Sequence, residues 1–263
     1  MRRRTENLIL AGVLVAVVGG GLVVAPYLQP SAASGEASPG ATSTSSAAAS
    51  SASSTTPSTS SKVPSDPSTV SAAAASDALQ DLYALPVSDA FVAGYDRALF
   101  GQAWADVDRN GCDTRNDVLR RDLVDVVTKP GTRECVVLSG TLHDPYTGRT
   151  IAFTRGDTTS LAVQIDHRWP LVLAWRHGAA SWTDAQREAF ANDAAELVAV
   201  DGTQNEKKSG SGPAAWMPPN ADDACAYATS FVAVATKWRL SIGTADEHAL
   251  DRTLTGCQAQ GSK

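Results

Sequence analysis

Hydrophobic and polar positions divide the chain into three stretches. An uncharged apolar run covers residues 8–28, behind Met1-Arg-Arg-Arg. From Ser31 to about Ala75 nearly every residue is Ser, Ala, Thr, Pro or Gly, and none is aromatic. Beyond that, apolar residues recur at helical or alternating spacing. The pattern predicts a leader over 1–30, a linker over 31–75 and a folded domain over 76–263. The linker composition cannot bury enough apolar surface to offset its ordering entropy, so disorder is expected there.

Within the domain, helical spacing predicts helices over 76–85, 88–100 and 114–127. In the second, Phe91, Val92, Tyr95, Leu99 and Phe100 form the stripe, with Ser88 or Asp89 as cap. Residues 106–113 read as a polar turn. Strands are expected over 135–139 and 149–154, around the turn from His143 to Gly148. Another strand starts at Leu161 and ends at Asp166-His167. A helix over 170–177 stops at Gly178, and Thr183 with Gln186 forms a capping-box pattern for a helix to about Ala191. A short strand over 196–200 and the turn Asp201-Gly202 follow. Residues 205–209 open a helix or a loop, and helices over 223–239 and 246–254 close the chain. Helices and short strands so interspersed make the fold class α+β.

About 20 apolar residues span a bilayer as a helix, and the leading arginines favour a cytoplasmic N-terminus. The alternative is a cleaved signal peptide with Ser31-Ala-Ala as its exit site. Either way the domain is exported, secreted or membrane-anchored through the N-terminal helix. Cysteine usage agrees with export: Cys112, Cys135, Cys225 and Cys257 include no C-x-x-C pair. Two disulfides are the simpler account, with buried free thiols as the alternative. Of three pairings, Cys112–Cys135 and Cys225–Cys257 are favoured because each closes a short loop. The chain has 22 Lys+Arg against 28 Asp+Glu, a net charge of −6. Tight duplex binding by phosphate neutralisation usually needs a basic protein, so this balance lowers the expected affinity for nucleic acid.

The chemistry-bearing pattern lies around residue 167. A carboxylate and an imidazole, Asp166 and His167, are adjacent at a strand end and so point in different directions. One can bind a metal while the other faces an attacking water. Asn205 offers a second oxygen ligand, a sparse shell that Mg²⁺ tolerates because it keeps several waters.

These residues belong to a longer pattern. It comprises Val163-Gln-Ile-Asp-His-Arg-Trp-Pro-Leu171, Ala174-Trp175, Gly178-Ala179, Trp182-Thr183, Arg187, Phe190-Ala-Asn-Asp193 and Leu197-Val-Ala-Val-Asp-Gly202. Asn205, Lys208, Trp216 and Pro218-Pro-Asn220 continue it, and Tyr95-Asp-Arg, Phe100-Gly, Trp104 and the run from Asn110 to Leu119 extend it upstream. The pattern resembles the exported HNH endonuclease domains related to the C-terminal domain of GmrSD restriction enzymes, over about 95–257. The resemblance implies a ββα-metal (HNH, His-Me finger) core with additional helices, and metal-dependent hydrolysis of DNA or RNA phosphodiesters. It implies His167 as general base, with Asp166 and Asn205 holding a divalent ion, Mg²⁺ or Mn²⁺. Lys208, Arg168 and Arg155 are candidates to contact phosphate, or else solvated surface charges. The chain departs from the pattern twice. Glu196 stands where the family usually has an Asn that braces the histidine loop, and Ser209-Gly210 follows Lys208 in place of Gly-Asp. A Glu there accepts a hydrogen bond but donates none while ionised, or it adds a carboxylate near the metal. The alternative function is a non-catalytic extracytoplasmic binding module on a degenerate scaffold.

Asp106, Asp108, Asn110, Gly111 and Asp117 fit a Ca²⁺-loop template apart from the final Glu. The favoured reading is a polar turn, pinned by a disulfide and capping the following helix. His143, His177 and His248 lack metal-ligand spacing, and Trp104, Trp175, Trp182, Trp216 and Trp238 are read as core residues. No G-x-S-x-G elbow, Walker A or dinucleotide motif occurs.

Overall fold

A computed structural model describes residues 70–260; the apolar run and nearly all of the expected linker lie outside them. Among the described residues no helix is long and apolar enough to cross a membrane. The first helix, α1 (Ala72–Ala84), starts before the expected position 76. The alanine run favours helix, and Ser71 caps it by accepting from the Ala74 N–H at 3.1 Å. Ala75, Ala78, Leu79 and Leu82 form its buried stripe, against α6 (Ala224–Trp238) and α7 (Thr244–Gln260). The Cys225–Cys257 disulfide joins those two helices.

The helix expected over 88–100 is absent. The Ser88 N–H donates to the Ile242 carbonyl and the Ile242 N–H to the Pro86 carbonyl, each at 2.8 Å. Asp89 caps α7 instead, accepting from the Thr244 N–H and Oγ1 at 2.9 and 2.6 Å. Only Arg97–Phe100 form one 3₁₀ turn, with Asp96 as cap. Tertiary pairing therefore takes the backbone groups and the cap that a local helix needs.

The helix α2 (Thr114–Asp122) ends earlier than expected and runs straight into a strand, β1 (Leu123–Thr128). The β-branched residues Val124, Val126, Val127 and Thr128 suit that pleated position. With β2 (Val137–His143) and β3 (Thr150–Thr154), β1 forms an antiparallel sheet in the order β1-β2-β3. The Cys112–Cys135 disulfide pins the polar turn before α2, and Asp113 caps that helix.

A second sheet pairs β4 (Val163–His167) antiparallel with β5 (Leu197–Asp201). Two helices, α3 (Leu171–Arg176) and α4 (Asp184–Ala191), connect these strands, and α5 (Gly202–Lys208) follows directly. The capping box at Thr183 and Gln186 is formed. Alternation decides which side chains face which core. Val163, Ile165, Leu197 and Ala199 face the cluster built on α2, β2 and β3, whereas Val198 and Val200 face the helical core. Asp166 pairs across to Val198 and His167 to Leu197, so the two adjacent polar residues lie on opposite faces. A glycine is required where α5 begins, because a Cβ at Gly202 would stand 2.0 Å from the Leu161 carbonyl oxygen. The protein is thus α+β with two disulfides.

Candidate active site

His167 ends β4 and is almost fully buried. Its Nε2 lies 2.9 Å from the carbonyl oxygen of Ala191 at the end of α4. A carbonyl only accepts, so Nε2 carries the proton and Nδ1 keeps its lone pair. Burial pushes the imidazole pKa down to about 4, and the charges of Arg97 and Lys208 act in the same direction. The ring is therefore neutral at pH 7. Trp104 stacks near it, with centroids 6.4 Å apart and planes inclined by 20°.

Asp166 points to the other face. Its Oδ2 accepts from the Tyr146 hydroxyl at 2.6 Å, and the Lys208 ammonium stands 3.0 Å from each carboxylate oxygen. Lys208 also donates to the His167 carbonyl at 2.7 Å and is fully buried. Burial and the Asp166 charge hold the Tyr146 hydroxyl well above the usual phenol range. Asn205, one turn before Lys208 on α5, donates its amide to Gln164 Oε1 at 2.8 Å. The carboxamide oxygen of Asn205 is its other polar group.

Two cavities meet at His167. One, of about 440 Å³, is lined by Tyr95, Arg97, Asp166, His167, Asn205 and Ser209, among others. The other, of about 260 Å³, is mainly apolar, with Phe100, Ala103, Trp104, Leu171 and Ala191 on its walls. Arg97, His167 and Leu171 border both.

Residues 113–252 match the family model described as GmrSD restriction endonucleases, C-terminal domain. The chain belongs to this family. It is also 36% identical over 197 residues to an uncharacterized secreted protein of Arthroderma benhamiae, covering 74% of this chain and 90% of that protein. No solved structure matches. The Arg97–Trp104 wall of the apolar cavity lies upstream of the matched GmrSD-family region.

The structure brings Asp166, His167 and Asn205 of this GmrSD-family domain to one cavity. Other expected residues take different places. Lys208 is sealed inside, where its charge is already met by Asp166, so in this arrangement it is an internal tie and not a surface contact for phosphate. Arg155 straps the three-stranded sheet, donating to the Val137 carbonyl at 2.5 Å and to Asn116 Oδ1, and borders neither cavity. Arg168 also lies off both cavity walls; it is half-buried, and its charge favours ionisation of Glu196 and Asp223.

Glu196 is fully buried and braces the segment that follows His167. Its two carboxyl oxygens accept from the Trp169 N–H at 3.0 and 3.2 Å, and its backbone carbonyl accepts from the Arg168 N–H at 2.9 Å. Burial raises its pKa well above the usual carboxyl range. It stands off both cavities, so it adds no carboxylate to their walls. Trp169 itself is locked in the core, its indole donating to the Phe231 carbonyl at 2.8 Å and stacking on the Phe231 ring.

The polar turn before α2 is closed on itself. The Asn110 amide donates to Asp108 and Asp117, each at 3.0 Å, and Asp106 accepts from the backbone N–H groups of Asn110 and Gly111. Sequence reasoning missed Tyr146, Arg97 and the Ala191 carbonyl. Each lies far along the chain from the residue it serves; Arg97 and Ala191 fall inside the longer pattern, in Tyr95-Asp-Arg and Phe190-Ala-Asn-Asp193, but nothing in that pattern marks their part in the site.

Proposed function

We propose that this domain is a metal-dependent endonuclease that hydrolyses nucleic-acid phosphodiester bonds, with His167 as general base. The observation that carries the reading is the tautomer imposed by the Ala191 carbonyl, which leaves Nδ1 as a neutral acceptor on an imidazole that lines the same cavity as Asp166 and Asn205. The succession β4, β5, α5, with these residues on the first strand and the helix, supports a ββα-metal (HNH) core. A water attacking phosphorus passes its proton to Nδ1 as the new P–O bond forms. The bond from phosphorus to the departing sugar oxygen breaks, and that oxygen takes a proton from solvent.

Among the described residues no cluster of three or more His, Cys, Asp or Glu side chains could hold a metal. Asp166 and Asn205 line one cavity, and their oxygens, a hard donor set that suits Mg²⁺ or Mn²⁺, would be the groups to hold such an ion. A bound ion would stabilise charge on the phosphate. The two disulfides and the secreted relative support an exported protein.

A second reading, a non-catalytic extracytoplasmic binding module, draws on one observation: both Asp166 oxygens are already engaged by Tyr146 and Lys208. The test incubates the full chain with plasmid, single-stranded DNA and RNA, in Mg²⁺, Mn²⁺ or EDTA, beside His167→Ala. Cleavage that needs metal and disappears in the variant is the expected result. A folded protein that cleaves nothing in any metal supports the binding module, and equal cleavage by the variant removes His167 as the base.

A further inference from the structure

The two cavities differ in chemistry yet share His167 and Arg97. The larger presents Asp166, Asn205, Tyr95 and Ser209; the smaller presents the rings of Phe100 and Trp104 with the side chains of Ala103, Leu171 and Ala191. A ligand filling both has a polar part, which the Arg97 guanidinium suits to an anion, and a flat apolar part on either side of the imidazole. Arg97 stands at the junction, exposed and without an ion pair among the described residues. Trp104 adopts φ 62°, a backbone region disfavoured for a bulky side chain, and its half-buried indole lies beside His167. Gly101, on the same wall at φ 75°, lets the segment lie against Glu188, whose side chain a Cβ there would approach to 2.8 Å.

We infer that the apolar cavity receives one unpaired nucleobase, stacked on Trp104, while Arg97 contacts the phosphate presented to His167, so that the substrate is single-stranded nucleic acid. The inference rests on the nuclease reading for the place of the phosphate. A base inside a duplex is paired and stacked on both faces, and it enters such a cavity only if extruded. A strand without a partner meets no such cost. Stacking on an aromatic ring also depends little on net charge, whereas duplex binding relies on many basic contacts, which a net charge of −6 disfavours.

The test measures binding apart from cleavage, using the full chain in EDTA. The probes are fluorescently labelled oligothymidine and oligouridine of about 12 nucleotides, alone and annealed to their complements. Fluorescence anisotropy is recorded for wild type, Trp104→Ala, Trp104→Phe and Arg97→Gln. The wild type is expected to bind the single strands about ten-fold or more tighter than the duplexes. Trp104→Ala should lose about ten-fold on single strands only, Trp104→Phe should keep most of the affinity, and Arg97→Gln should weaken binding with a shallower salt dependence. Comparing the DNA and RNA arms separates the two sources of the base. If Trp104→Ala does not fold, the wild-type preference and the other two variants decide. Duplex binding as tight as single-strand binding, or wild-type affinity in Trp104→Ala, overturns the inference. Single-strand preference without cleavage in metal would instead leave the cavity assigned and remove the nuclease reading.

Discussion

The ammonium of Lys208 lies 3.0 Å from both carboxylate oxygens of Asp166, with the lysine side chain fully buried and that of Asp166 5% exposed. A third contact, to the His167 carbonyl at 2.7 Å, lets the same cation hold the end of β4. α5 is thus fastened to the strand that carries the candidate base.

Removing one partner of a buried pair leaves an uncompensated charge, at a cost of about 3–5 kcal/mol. Lys208→Met is expected to lower stability by that amount in urea unfolding. Adding Asp166→Asn should return a large part of the loss, because the orphaned charge is gone. A double variant no more stable than the single one would mean that the pair is not the source of the effect.

Glu196 poses the converse case, since burial pushes its carboxyl pKa up and both carboxyl oxygens serve as acceptors for the Trp169 N–H. Glu196→Gln keeps the shape and an acceptor and should change stability by less than about 1 kcal/mol. Glu196→Ala strands the Trp169 N–H and should cost about 1–3 kcal/mol. Thermal unfolding of the two variants side by side checks this. Equal destabilisation would show that Glu196 needs its charge.

Much of this arrangement was readable where the signal is local. Asp166-His167 at a strand end follows from the alternation of Val163 and Ile165, and Thr183 with Gln186 marks α4 by a reciprocal cap. The disulfide pairing followed from short loop closures. What failed was settled at a distance. Asp89 reads as the cap of its own segment but caps α7, 155 residues away. Lys208 reads as a surface charge because nothing near it in sequence announces Asp166, 42 residues earlier. Tyr146 reads as part of a turn, although its hydroxyl meets that same carboxylate. Trp104 reads as core and does pack against the sheet cluster, yet one side of it borders a cavity.

The Cys225–Cys257 bridge closes a separation of 32 residues between α6 and α7, whose packing carries α1. By loop-closure entropy, replacing both cysteines with alanine should cost about 3–4 kcal/mol. The separation of 23 residues at Cys112–Cys135 predicts a slightly smaller loss. Urea midpoints of the two double variants test the order. If the second bridge matters more, the polar turn before α2 carries more of the fold than its position suggests.

Asp223 gives the pH dependence. It stands at the start of α6 with Oδ2 buried and lacking a hydrogen-bond partner. Burial raises its pKa from 3.8 to about 7, against the opposing charge of Arg168. Between those two values the folded chain holds a proton that the unfolded chain has released, so folding is favoured by protonation. This contribution is complete below about pH 4 and is lost as pH rises through about 7. Asp223→Asn has no proton to lose and should gain stability relative to wild type across that window, levelling off above it. Urea midpoints of both proteins at intervals of pH provide the measurement. A difference that does not vary with pH would mean that Asp223 titrates alike in the folded and unfolded chain, with the charge of Arg168 balancing its burial.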